Sequence, residues 1–373
     1  MRILRRAGLA ALAVAPFGLA YRFALVYRAR AGYPRRQPPR ITPAELGLPY
    51  ETTVVRSGGL DLPAWFIPAR GGAPGPGVVL VHGWESARDR TLPMAVFLHA
   101  AGFHCLTFDV RGHGANPAEE LPISAGEFGS DALAGFVALL ARPEVTVGAI
   151  SGHSMGAIGA ILAGAADARV AAVVSTSAPA DPYRLTRQTF KLARLPFPDP
   201  IAYPLAWLTT RVYLKPRGQV VHEIDATVGI ARYGGPILLA HGADDRVVPA
   251  SHMARLAKAA RAARADKQPP ADVRTLLVEG GQHSWLYEDQ GYRREVASFL
   301  ATELHGPLTA AEAGAIAAAT PSDRIPDGEV AFAAVTENPG GLRTLAQVAR
   351  PGATQPAIRD EGRVATATGE PGT

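Results

Sequence analysis

From residue 51 onward, short runs of aliphatic and β-branched residues alternate with longer segments of helical pattern. The runs 51–56, 61–67, 77–82, 103–109, 146–151, 170–176, 236–241 and 273–279 predict eight strands. Ser57-Gly58-Gly59 joins the first two as a hairpin turn. The later runs are apolar almost throughout, as expected for parallel strands covered on both faces. Helical patterns fall at about 91–101, 127–141, 155–166, 251–264 and 291–304. Such alternation predicts an α/β fold with a mainly parallel sheet. Residues 181–232 interrupt it with a stretch rich in Pro, Tyr, Leu and Trp, too long for a simple loop and read as an inserted cap. Beyond 306 the signal fades. Thr309 to Ala318 suits a short Ala-rich helix, and from about 335 the Gly, Pro, Thr and Ala residues lack periodicity and predict disorder. The expected organisation is therefore an N-terminal segment (1–40), a main domain (41–305) and a low-complexity tail (306–373).

The N-terminal segment changes the picture. Ala7 to Tyr27 is an apolar run of 21 residues broken by Arg22, about 31 Å as a helix and long enough for a bilayer core. The expectation is membrane association through residues 7–27 as a single-span anchor. A signal peptide cleaved near Gly18-Leu19-Ala20, leaving a secreted protein, and a helix packed on the domain are the alternatives. Arginines flank the run on both sides, so orientation stays open, although the heavier cluster after it favours a cytoplasmic main domain. The chain's net charge of +5 resides in this segment: residues 1–40 hold nine arginines and no acid. The remainder is mildly acidic, which speaks against a nucleic-acid partner. The one cysteine, Cys105, excludes an internal disulfide and any CxxC motif.

Gly152-His153-Ser154-Met155-Gly156 follows a predicted strand and opens a small-residue helix. That is the context of a nucleophile elbow, in which glycines relieve a sharp turn and the serine hydroxyl stands above the sheet. A serine needs a base, itself oriented by an acid. His283, in the Gly-rich loop after the last strand, suits the base. Asp245, just past the strand before it, suits the acid better than Asp244. For an oxyanion hole, the N–H of Met155 is one candidate and that of Trp84, after Gly83, is the second. His82 reads as a structural loop residue.

Together VHGW (81–84), FDVRGHG (108–114), GHSMG (152–156), HGADDRVVP (241–249) and GGQHSW (280–285) resemble the α/β-hydrolase superfamily over about 50–305. Within it the sequence looks most like bacterial hydrolases with an N-terminal hydrophobic segment and a prolyl-oligopeptidase or serine-aminopeptidase type of domain. The resemblance implies an eight-stranded sheet, hydrolysis of an ester, thioester or amide, a small-molecule acyl substrate, and no metal or organic cofactor. A serine at 154 argues against the dehalogenase and epoxide-hydrolase branches. A carboxylesterase is the leading expectation, the apolar cap being consistent with acyl or aryl substrates. A peptidase is the second, with Asp181, Asp199, Glu223 and Asp225 as candidates to receive a free amine. A non-catalytic binding protein on the same fold is the third.

Overall fold

The computed structural model describes residues 2–265 and 271–325. Eight strands form one sheet: β1 (Glu51–Ser57), β2 (Leu60–Ile67), β3 (Gly75–Val81), β4 (His104–Phe108), β5 (Val145–His153), β6 (Val170–Thr176), β7 (Ile237–Gly242) and β8 (Val273–Val278). Their order across the sheet is β1-β2-β4-β3-β5-β6-β7-β8. β2 runs antiparallel to both β1 and β4, and every other pairing is parallel. Ser57 faces Leu60 in the β1–β2 register. Gly58 and Gly59 both carry positive φ, 54° and 83°, as a two-residue type I′ turn requires.

The helices are α1 (Arg2–Ala31), α2 (Leu92–Ala100), α3 (Ala125–Leu140), α4 (Met155–Ala166), α5 (Pro182–Leu192), α6 (Asp199–Leu214), α7 (Val221–Ile224), α8 (Ala226–Arg232), α9 (Ser251–Arg264), α10 (Gln290–Leu304) and α11 (Ala310–Ala319). Alternate residues of one strand enter opposite cores. Val79 and Val81 pack with Phe128, Phe136 and Ile161 beneath α3 and α4. Val78 and Leu80 pack with Phe97 and Phe299 beneath α2 and α10. Covering on both faces explains why these strands are apolar without alternation.

Two boundaries differ from the sequence reading. The packed fold continues past residue 305. α11 docks beside α10, where the buried Arg293 donates to the Ala317 and Ala318 carbonyls at 3.0 and 2.9 Å. Those carbonyls belong to the last turn of α11 and have no partner inside it. An Ala-rich segment carries little amphipathic signal, so this anchoring is invisible along the chain. The stretch from about 335 that the sequence predicts to be disordered lies outside the described residues.

At the other end, among the described residues no helix is long and apolar enough to cross a membrane. The second half of α1 is instead part of the domain. Phe23 meets Phe190 and Phe197 edge-on, with ring centroids 5.4 and 5.7 Å apart. Tyr27 shares a hydrogen bond of 2.8 Å with Thr189, and Arg28 donates to the Val212 carbonyl at 3.1 Å. α5 to α8 fill the 181–232 interruption, and α1 lies against α5 and α6 through these contacts. Residues 32–42 then run as a strap along the domain. The Arg35 N–H donates to Glu85 Oε1 at 3.1 Å and the Arg40 N–H to Asp89 Oδ2 at 2.9 Å.

Candidate active site

β5 ends at His153 and α4 begins at Met155, so Ser154 alone turns the chain. Its φ is 53°, a left-handed value that costs a side-chain-bearing residue about 1–3 kcal/mol and persists only where the surroundings enforce it. The glycines of the motif permit that enforcement. A Cβ at Gly152 would stand 2.1 Å from the Gly156 carbonyl oxygen, and one at Gly156 would stand 2.3 Å from that of Val81. The Ser154 N–H donates to the Thr176 carbonyl at 2.9 Å, pinning the elbow to β6.

Three loops at the C-terminal ends of parallel strands meet there. The Ser154 hydroxyl donates to His283 Nε2 at 3.0 Å, and His283 Nδ1–H donates to Asp245 Oδ2 at 2.8 Å. All three residues are buried. Asp244, the alternative acid, is not the partner; its N–H binds the Gly281 carbonyl at 2.9 Å. Asp245 Oδ1 accepts from the N–H groups of Val247 and Val248 at 2.9 and 2.8 Å. Burial alone would raise the Asp245 carboxyl, but hydrogen bonds from His241 and His283 and from the Val248 N–H outweigh it. The group is held well below the usual carboxylate range, so it is an anion at neutral pH. Such a chain can draw a proton from the serine while its far end stabilises the imidazolium.

Two histidines complete the arrangement, and sequence reasoning missed both. His241, at the end of β7, donates from Nε2 to the Val248 carbonyl at 2.7 Å and lies 3.2 Å from Asp245 Oδ2. The only signal was its place four residues before Asp245. His153 immediately precedes the nucleophile candidate. Its Nε2–H donates to the His283 carbonyl at 2.8 Å, with the two rings 5.0 Å apart. Burial first, and then the nearby His283, push His153 down to about 4. A neutral donor at neutral pH thus ties the elbow to the loop carrying His283. A motif reading treats that position as variable, so nothing in the pattern marks it.

The loop after β3 faces the elbow. A Cβ on Gly83 would be 3.3 Å from both the Ser154 Cβ and His153 Nδ1. His82 donates from Nδ1 to the Gly83 carbonyl at 2.7 Å and accepts the Val110 N–H at Nε2 at 3.0 Å. The trans peptide whose oxygen is held on the His82 side carries the Trp84 N–H on the other. Met155 opens α4, where first-turn N–H groups have no partner inside the helix and the dipole favours negative charge. The Trp84 ring stands edge-on to His113 at 5.2 Å, whose imidazole burial pushes down to about 3.

Ser154 and His283 open into a cleft of about 90 Å³, walled by Trp84, Met94, Trp285, Leu286, Tyr287 and Tyr292. Tyr292 shares a hydrogen bond of 2.8 Å with Thr176 and donates to Met94 Sδ at 3.4 Å. None of the cleft's walls comes from residues 181–232. Residues 181–232 form an insertion between β6 and β7, and three of its aromatic side chains, Phe190, Phe197 and Tyr213, pack on α1. The four acids proposed there for a free amine have other roles. Asp181 and Asp225 cap α5 and α8, Asp199 pairs with Arg187, and Glu223 accepts the Val220 N–H at 3.2 Å.

Comparison with known proteins agrees with this architecture. The chain is 29% identical over 212 residues to an uncharacterized protein of Mycobacterium tuberculosis, a match spanning 56% of this chain and 66%, just under two thirds, of that relative. Among solved structures, an esterase of Pyrococcus furiosus is similar with a TM-score of 0.58 and 20% identity, over 74% of this chain and 98% of that one. An acylaminoacyl peptidase of Pyrococcus horikoshii is similar with a TM-score of 0.51 and 16% identity, over 69% of this chain and 42% of that one. The alpha/beta hydrolase family profile matches residues 78–298, and the chain belongs to that family.

Proposed function

We propose that the protein is a serine hydrolase that cleaves a carboxylic ester with a small acyl group through an acyl-enzyme. The observation that carries this reading is the hydrogen-bonded chain from Ser154 through His283 to Asp245, opening into an apolar cleft. His283 Nε2 takes the Ser154 proton as Oγ attacks the acyl carbonyl. The Met155 and Trp84 N–H groups receive the resulting oxyanion. His283 then gives the proton to the leaving alkoxide as the ester C–O bond breaks. Water, deprotonated by His283, attacks the acyl-enzyme; the acid departs and the proton returns to Ser154. Asp245 keeps His283 in the required tautomer throughout.

The fold occurs in esterases and peptidases alike, so it does not choose between them. The cleft favours the ester. Its volume is well under the roughly 300–1,000 Å³ of drug-sized ligand sites, which suits a small acyl group. Its walls carry a single acid, Glu85, which also accepts the Arg35 N–H through Oε1, whereas the remaining walls are mostly apolar and aromatic.

A fluorophosphonate probe tests the reaction class. Stoichiometric labelling of the wild type and none of Ser154→Ala is expected; an unlabelled, folded wild type overturns the reading in favour of a binding protein. p-Nitrophenyl esters of graded chain length, set beside aminoacyl-nitroanilides, test the substrate. Higher kcat/KM on the short esters is expected, and preference for the anilides makes the protein a peptidase.

A further inference from the structure

Residues 14–19 of α1 do not pack on the domain. Val14, Phe17 and Leu19 are 64%, 75% and 68% exposed, and residues 14–19 are exposed without a buried face. A helix that is apolar on all sides calls for an apolar surrounding. α6, which lies against α1, continues this surface with Ile201 and Trp207, 55% and 50% exposed, and with Tyr203. Half of the exposed large hydrophobic residues among the described residues thus fall on two touching helices.

The two segments that form this patch are one-sided in charge. Residues 1–40 hold nine arginines and no acid, and residues 182–222 hold seven basic residues against Asp199 alone. Asp199 is itself paired with Arg187, while Arg184 pairs with Asp181 and Arg217 with Glu119 from outside the segment. These two segments carry the chain's positive pole, while the rest of the sequence holds more acids than bases. At the patch the two features are joined, because the Arg211 guanidinium stacks on the Trp207 ring at 3.7 Å.

We propose that the exposed part of α1 and the outer face of α6 form one surface that docks on an anionic lipid bilayer, lying in its interface. A bilayer supplies an apolar layer for Phe17, Leu19 and Ile201 beneath a negative layer for the arginines. Tyr21, Tyr203 and Trp207 have the amphipathic rings that settle at headgroup depth. A second copy of the chain would bring two positive collars together, which is repulsive. A polyanion such as nucleic acid leaves the apolar residues unexplained. Because Phe23 to Ala31 is committed to the domain, docking holds the main domain against the membrane. The proposal does not depend on the catalytic reading.

Cosedimentation of the full chain with vesicles tests it. Phosphatidylcholine vesicles containing about 30% phosphatidylglycerol are expected to bind at least ~10-fold more tightly than phosphatidylcholine alone, and the difference should shrink as salt screens it. Phe17→Glu and Trp207→Glu, each at an exposed position, should each weaken binding about 10-fold or more, with the circular dichroism spectrum unchanged. Equal binding to neutral vesicles, or undiminished binding of Trp207→Glu, overturns the joint surface. Resistance to alkaline carbonate extraction overturns it in favour of a span. A vesicle-free dimer that Phe17→Glu dissociates overturns it in favour of self-association.

Discussion

The rim of the sheet and the α1–α6 surface are held together by opposite means. At the rim, Ser154, Asp245 and His283 are buried and fixed by directional hydrogen bonds from three different loops, with two further histidines behind them. At the α1–α6 surface, edge-on aromatic contacts anchor the inner side while large apolar side chains face outward. Directional bonds fix atoms to within a fraction of an ångström, as proton transfer requires. Aromatic packing tolerates small shifts and suits a docked helix. The same contrast runs through the insertion between β6 and β7: Phe190, Phe197 and Tyr213 bind α1, while Tyr203 and Trp207 face outward.

The largest test of that contrast is Ser154→Ala, which should lower kcat by about 10⁵-fold or more while leaving the thermal unfolding midpoint nearly unchanged. Asp245→Asn should cost about 10⁴-fold in kcat, because the amide presents its NH2 or its oxygen to His283 without holding the imidazolium. His153→Ala removes the donor to the His283 carbonyl and should lower kcat about tenfold with KM unchanged. His153→Gln retains a donor and should recover most of that loss, which a purely volumetric role would not predict.

His153 also supplies a pH test. Between about 6.5 and about 4 the unfolded chain binds a proton that the folded residue refuses. The folded value is depressed, so stability is fully present above about 6.5 and declines as pH falls through this window. The decline in unfolding midpoint from pH 7 to pH 5 should be smaller in His153→Gln. Smaller again is Met94→Trp, expected to shift preference towards shorter acyl chains by about tenfold in kcat/KM ratio. Trp207→Glu, outside the cleft, should leave kcat/KM on a soluble ester unchanged. A large effect there would join the two regions and break the contrast.

The sheet was legible because buried parallel strands are short apolar runs bounded by glycine and proline, as at Gly77 to Val81. The elbow was legible because its close backbone approaches demand glycine at 152 and 156, and demands on shape leave marks in sequence. Asp245 and His283 could be picked out by their place after successive strands. The supporting shell could not. His153 works through a main-chain carbonyl, and Arg293 grips four more, so these bonds have no partner side chain that could give them away. The docking of α1 was equally hidden, because Phe23 and Phe190 lie far apart along the chain and an apolar helix reads the same whether it faces protein or lipid.

The strap from residue 32 to 42 fastens to Glu85 and Asp89 through main-chain N–H groups. Both of these bonds are made by the peptide itself. Proline at those positions, or a change in the spacing between them, would remove these two bonds. Gly32 at the start of the strap has no room for a Cβ, and Tyr33 and Arg36 add side-chain bonds to the Glu120 and Asn116 carbonyls, so a single deleted residue would shift all of these in register and reach the mouth of the cleft through Glu85.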